Sequence, residues 1–432
     1  MTKSTGYGLL AMAVSASIAL ANGGGDDDKK NPTLYQGGSG GVSFKPGSGI
    51  TFDGGDEFRL NLKTYAQTQW TYAVFDNTED LQTFRIRRIE TTMTGNVYNK
   101  NLTYKLALDW VDTQGTPLRD MWAQWNFIKD DNNRLGVRLG QSRTFFGLET
   151  TGTSSGLELA ERSLATRTFT DTRGRGAWIH GGHMENRLRW NFGIQNNDVS
   201  AGSTRLIIDS GEETSNSGSS LDWVGNVSYD LMGDMTGGKD NEALTQGDLA
   251  GTENAMGTIG GGVFIGNDDR VTGVLGSGVS TATIQTVSWN VNTEWKVNHL
   301  ALLGEFFSRS DNGSGAAPFG TAPTETSTGW YVQGSYTLPK SGDSEMQWGL
   351  VGRISMISAD NTSTVLNVMG PQGSQGGLFA NEDVTELTAG VNAFYHGHAC
   401  KTQFNYTYQD RNLSVGTDQK NHILQIMFQI TL

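Results

Sequence analysis

Arginines and lysines recur in this chain at spacings of two and four. Arg59 and Lys63, Arg134 and Arg138, and Arg187 and Arg189 alternate with apolar neighbours, so each pair would share one face of an extended strand. A guanidinium presents paired donors that match phosphate or carboxylate, so such a face suits the handling of anions. Between residues 142 and 175 the charge is denser, with Arg143, Glu149, Glu158, Glu161, Arg162, Arg167, Asp171, Arg173 and Arg175. Carboxylates at Asp109, Asp120 and Glu294 fall among the basic strands. Counting charges therefore does not secure an anion preference.

Two other patterns invite a chemical reading. Gly152-Thr153-Ser154-Ser155-Gly156 matches the G-x-S-x-G elbow of hydrolases. That elbow needs a strand before the serine and a helix after it, and the flanking sequence predicts neither. His396, His398 and Cys400 stand two apart, as metal ligands on a strand would. Gly397-His398 reads as a turn, which breaks the face. The acidic runs Asp26-Asp27-Asp28 and Asp268-Asp269 lack the ligand spacing of a calcium loop. The expectation is no catalytic residue, no metal and no cofactor.

The elements that must position these charges are strands. Segment 58–72 places Phe58, Leu60, Leu62, Thr64, Ala66, Thr68, Trp70 and Tyr72 on one face, with Arg59, Asn61, Lys63, Tyr65, Gln67 and Gln69 on the other. Further alternating segments begin near Phe84, Leu102, Leu118, Arg134, Ala177, Arg187, Leu221, Gly257, Thr283, His299, Gly329, Met346, Thr385, Ala399 and His422. That makes about sixteen, an even number, with short and long connections in alternation. The predicted fold is all-β: a transmembrane antiparallel β-barrel. Two connections fit poorly. Residues 112–117 are short for an outer loop, and 231–256 are long for a periplasmic turn. The last strand alternates up to Leu432, as a barrel-closing strand does.

Composition agrees. The 432 residues are 36% hydrophobic with a mean hydropathy of −0.41. That is too polar for a bundle of spanning helices but suits strands that give lipid half their residues. The net charge of −13 argues against a general nucleic-acid binder. Cys400 is the lone cysteine, so no intrachain disulfide forms. Residues 1–21 read as a secretory signal peptide, with Lys3 ahead of an apolar stretch and Ala19-Leu20-Ala21 as the cleavage site. Residues 22–56 read as a periplasmic linker with a short hairpin, and 57–432 as the barrel.

Several stretches resemble the phosphate-selective porin O and P family. They are Phe84-Arg85-Ile86-Arg87-Arg88 with Gly95 and Tyr98, and Gly140-Gln141 through Phe145-Phe146-Gly147-Leu148-Glu149. Thr153-Ser154-Ser155 and Glu161-Arg162-Ser163 follow, then Gly329-Trp330-Tyr331-Val332-Gln333, Leu350-Val351-Gly352-Arg353 and Gly390-Val391-Asn392. The resemblance implies a sixteen-stranded outer-membrane barrel, a homotrimer, with a long constriction loop folded into the lumen. It implies passive diffusion of small anions such as phosphate. It also implies a mid-channel anion site at Lys63, Arg87, Arg88, Asp120, Thr153, Ser154 and Arg162. Arg59, Arg138 and Arg143 would line the pore further. Arg87 and Arg88 fall on opposite faces of an ideal strand, so both reach inward only if the strand is bulged there.

The chain also departs from the family. The loop near 267–282 offers only Arg270 where the phosphate specialists carry an arginine ladder, and a periplasmic lysine cluster is absent apart from Lys401. Glu90 places a carboxylate beside the arginines. These departures imply weaker or broader selectivity. Competing functions are a general porin without a phosphate site, an outer-membrane enzyme that would use Ser154, and an adhesive barrel with a plugged lumen.

Overall fold

The computed structural model describes residues 33–37, 40–76, 79–111, 118–170, 173–196, 221–237, 244–275, 278–315, 325–340, 342, 346–359, 382–413 and 418–432. The expected signal peptide lies outside them. Three short strands come first: β1 (Thr33–Gly37), β2 (Gly40–Lys45) and β3 (Gly49–Asp53). β2 and β3 form the expected hairpin through Pro46-Gly47, whereas β1 had no signal in the sequence pattern.

Sixteen strands then pair in chain order: β4 (Phe58–Val74), β5 (Leu81–Val97), β6 (Leu102–Asp109), β7 (Leu118–Lys129), β8 (Arg134–Ser142), β9 (Gly174–His183), β10 (Leu188–Gln195), β11 (Asp222–Met232), β12 (Met256–Leu275), β13 (Gly278–Val297), β14 (Leu300–Gly315), β15 (Glu325–Thr337), β16 (Gln347–Ala359), β17 (Glu382–His396), β18 (Cys400–Leu413) and β19 (Gln419–Thr431). Each predicted segment has its strand. β19 returns to β4, from His422 opposite Val74 to Thr431 opposite Tyr65, and closes the barrel. Leu432 exchanges backbone hydrogen bonds with Thr64. Below that point β3 takes over the same edge of β4, from Ile50 opposite Leu62 to Asp53 opposite Arg59.

Burial is inverted relative to a water-soluble protein. Phe84 is 82% exposed, and Trp125, Leu139, Leu302, Leu350, Phe404 and Phe428 are also exposed. On the opposite face Gln67, Asp120, Glu305, Gln333, Asn405 and Gln429 are buried. Apolar atoms outside and hydrogen-bonded polar atoms inside are what a bilayer demands of a closed sheet.

Two expectations change. The anticipated loop near 267–282 is paired strand instead, running to Leu275 opposite Gly278 with one register shift between Gly266 and Asp269. Around Arg270 the backbone is therefore tied into a hairpin that rises from the barrel wall. The puzzling 231–256 connection turns inward over its second part. The Gln246 backbone N–H donates to the Gly156 carbonyl at 2.9 Å, and the Gln347 side chain donates to the Leu249 carbonyl at 3.1 Å.

Candidate functional site

The chain leaves β8 into residues 143–173, which hold two short helices, α1 (Leu148–Thr151) and α2 (Leu164–Phe169). Gly147 precedes α1 with φ of 90°, a conformation costly for any residue with a side chain. This turn aims the Leu148 N–H at Glu305 Oε1 on β14, 2.9 Å away. Ser163 caps α2 by accepting from the Thr166 N–H. The segment then meets the buried faces of four more strands. The Ala165 N–H donates to Ser355 Oγ on β16 at 3.0 Å, and the Ala160 N–H to Asn405 Oδ1 on β18 at 3.0 Å. On β17, Arg167 pairs with Glu386 at 2.9 Å. On β15, Gln333 donates to Glu158 at 3.3 Å.

Apolar packing does the rest. Phe145, Phe146, Leu148, Leu164, Ala165 and Phe169 join Trp178, Val224, Phe264, Leu303, Phe307, Tyr331, Ile357 and Val384 in one buried cluster. Phe169 stacks on Phe307 with ring centres 5.7 Å apart. Gly329 leaves room for it, since a Cβ there would collide with the Phe169 ring.

The arginines of β5 gather on a carboxylate from this segment. Gln67 faces Arg88 and Thr68 faces Ile86, so Arg87 is the extra residue of a bulge. The sequence required such a bulge if Arg87 and Arg88 were to share a face, and the strand has it. Arg87 holds Glu161 by two hydrogen bonds, at 2.7 Å and 2.9 Å. Arg85 reaches Glu161 at 3.3 Å and Arg88 reaches it at 3.8 Å. Burial alone would raise the Glu161 pKa. Arg87, by charge and hydrogen bond, with Arg88 and Arg167, instead holds it well below the usual carboxylate range.

The other expected residues fall into four places. Lys63, Thr153, Arg138 and Arg143 line one cavity of about 730 Å³, together with Glu90 and Lys105. Arg138 lies over the Trp122 ring, 3.9 Å from its centre, and donates to Gln124 at 2.9 Å. Asp120 is 1% exposed; its two oxygens meet Lys105 at 2.8 Å and Arg173 at 3.0 Å. Arg162 braces the loop from within, donating to the Glu149 carbonyl at 2.8 Å and to Ser154 Oγ at 3.3 Å. Burial, then Arg143 and Arg88, push its pKa down. Arg143 likewise donates to the carbonyls of Thr150, Thr151 and Gly152. Arg59 stands apart, exposed at the end of β4 beside β3.

The sequence signals for a hydrolase or a metal site do not converge. Ser154 opens a 3-10 turn after Thr153, and its hydroxyl accepts from Arg162. Opposite each other at the turn stand His396 and Cys400. His398 points to the Gln246 carbonyl, 2.9 Å away.

Residues missed from the sequence include Arg85, Glu161 as the arginines' partner, and Arg353. The Arg353 guanidinium donates to the Glu161 and Arg162 carbonyls at 3.0 Å and 3.3 Å. Arg85 shares its parity with Arg87, which was the available signal. Gln246 had none. It donates to Glu149 at 2.9 Å and accepts from the Glu158 N–H at 3.0 Å.

A closed sixteen-stranded barrel, apolar outside and polar within, is the architecture of an outer-membrane porin. The sequence pattern of the phosphate-selective porin O and P family matches residues 62–432, and the chain belongs to that family. It is a porin of the outer membrane of a Gram-negative bacterium, a passive channel. Among solved structures, the outer membrane channel DcaP of Acinetobacter baumannii is 13% identical with a TM-score of 0.52, over 87% of this chain and 98% of that one. The loop L8 deletion mutant of OmpT from Vibrio cholerae has 13% identity and a TM-score of 0.49, over 87% and 100%. The anion-selective porin from Comamonas acidovorans has 9% identity and a TM-score of 0.49, over 87% and 100%. No curated protein matches the sequence.

Proposed function

We propose that this porin passes small anions with modest selectivity, through a channel that residues 143–173 narrow from within. The observation that carries this is the β5 bulge, which turns Arg87 and Arg88 to one face with Arg85 and sets Glu161 against all three. Three guanidiniums on one carboxylate leave a local excess of positive charge, and that attracts anions. The same carboxylate occupies the paired donors that would otherwise grip a phosphate. The cluster is thus an attractive stretch of channel with a softened binding site. Lys63 adds to it from the adjoining cavity, where it has no hydrogen bond or ion pair among the described residues.

The family resemblance supports a homotrimer, which a heat-sensitive band of three times the monomer mass would reveal. The Ser154 hydroxyl accepts from Arg162 at 3.3 Å, and among the described residues no base is bonded to it. Planar-bilayer recording tests the whole reading. A KCl gradient should give a reversal potential on the anion side, and phosphate should block the chloride current at millimolar levels or above. Arg87→Ala should weaken that block. A cation-side reversal would overturn the anion preference, and absence of conductance would overturn the open channel.

A further inference from the structure

Above the loop lies a second cavity, of about 420 Å³, between residues 159–167 and the inner faces of β16–β19. That volume is in the range of small-molecule sites, and a single tetrahedral oxyanion would leave most of it unfilled. Its wall has two characters. On one side Arg167, its side chain 32% exposed, pairs with Glu386. On the other side the lining from β18 and β19 is rich in amides, Asn405, Gln409, Asn421 and Gln425, with Arg411 as its charged residue.

These amides are not a generic polar surface. Asn405 and Asn421 are only 2% and 3% exposed. The Asn405 Oδ1 accepts from the Ala160 N–H at 3.0 Å, while its Nδ2 donor has no hydrogen-bond partner among the described residues. Asn421 is the reverse. Its Nδ2 donates to Gln409 Oε1 at 3.1 Å, while its Oδ1 acceptor has no partner. Two amides that line the cavity thus keep one donor and one acceptor unmatched within the wall. An ionised simple carboxylate has only acceptors and leaves Asn421 Oδ1 unmatched, whereas a hydroxyl both donates and accepts. Leaving a buried polar atom unmatched costs about 1–3 kcal/mol, so solutes with hydroxyls are favoured over those without.

We propose that this outer cavity is a subsite for polyhydroxylated organic anions, sugar acids and sugar phosphates. Their hydroxyls would lie against Asn405 and Asn421, and their charged group against Arg167. The assignment rests on the anion-conducting reading above and narrows its solute class.

The test uses the purified wild-type channel in a planar bilayer, with gluconate, hexanoate, glucose and phosphate as blockers of chloride current. Gluconate and hexanoate share charge and carbon count and differ in hydroxyls. A site built to hydrogen-bond hydroxyls should be half-blocked by gluconate at a roughly tenfold lower concentration than by hexanoate. Glucose, lacking the charge, should block more weakly than gluconate. Asn421→Leu should remove the gluconate advantage while leaving the KCl reversal potential and the phosphate block unchanged. Equal block by gluconate and hexanoate, with anion preference intact, overturns this subsite alone. So does an Asn421→Leu channel that keeps the full gluconate advantage. A channel without anion preference overturns the preceding reading and this one with it. Glucose 6-phosphate in place of gluconate separates a carboxylate preference from a phosphate preference, and either outcome supports the shared hydroxylated-anion chemistry.

Discussion

The inner side of β11–β17 carries Val224, Phe264, Leu303, Phe307, Tyr331, Ile357 and Val384, all covered by the loop that follows β8. Around the seam, β4, β5, β18 and β19 present Gln67, Gln69, Arg88, Glu90, Asn405 and Gln429 instead. One barrel thus contains a wall built like the core of a soluble protein and a wall built like its surface. The hydrophobic effect fastens the loop to the first wall, where burying each aromatic removes apolar area from water. Ion pairs and hydrogen bonds join the loop to the second wall at Glu161 and Ala160. The difference teaches how a channel stays open. The loop adheres where contacts are apolar, and the passage proposed above runs where contacts are polar.

The comparison breaks first on the apolar wall. Phe307→Ala should cost about 3–5 kcal/mol of docking, because the Phe169 and Phe146 rings lose their shared partner. Limited trypsin digestion should then cut the folded barrel at Arg162 or Arg167, which the intact protein should resist. Next comes Glu161→Gln on the polar wall. Removing the carboxylate should move the reversal potential further to the anion side and tighten phosphate block several-fold, on the scale of about 1 kcal/mol for one typical hydrogen bond. Smaller is a pH effect at Glu158, which burial raises to about 7 against the pull of Ser335, Lys296 and Lys401. A carboxyl with a raised pKa favours the docked loop when protonated. That support is complete below the ordinary carboxylate range and fades as pH rises through about 7. Anion preference should fall over the same interval, since a negative charge appears among the loop contacts, and Glu158→Gln should flatten the curve. The smallest effect belongs to Arg59→Ala. An exposed arginine at the strand end should change phosphate block by less than about 0.5 kcal/mol.

The strands were legible because alternation is a local signal: lipid on one side and polar neighbours on the other leave every second residue apolar. The sixteen expected starts all have their strand. Loop anchoring was only half legible. Gly329, Tyr331, Arg353 and Gly390 stood out as pieces of recurrent stretches, but what they do depends on partners far along the chain. Gly329 admits the Phe169 ring, and the Tyr331 hydroxyl donates to Glu305 at 3.3 Å. The inward course of 244–249 was illegible, because Gln246 gains its meaning only from Glu149, Glu158 and His398, none of them near it in sequence. Charges were easy to count and hard to pair. Asp120 with Arg173, and Glu161 with three arginines, are contacts between a strand and a distant loop.

The bulge at Arg87 also means that β5 is written in two phases. Above it, odd positions such as Arg85 face in and even ones such as Phe84 and Ile86 face out; below it, Arg88 and Glu90 face in and Ile89 faces out. The extra residue works like a frameshift that the fold reads correctly. A one-residue deletion at Arg87 would leave both halves in phase with β4, whereas the same deletion three positions further down would exchange Thr94 and Met93 between water and lipid. Length at this single position is free to vary, and elsewhere along the strand it is not.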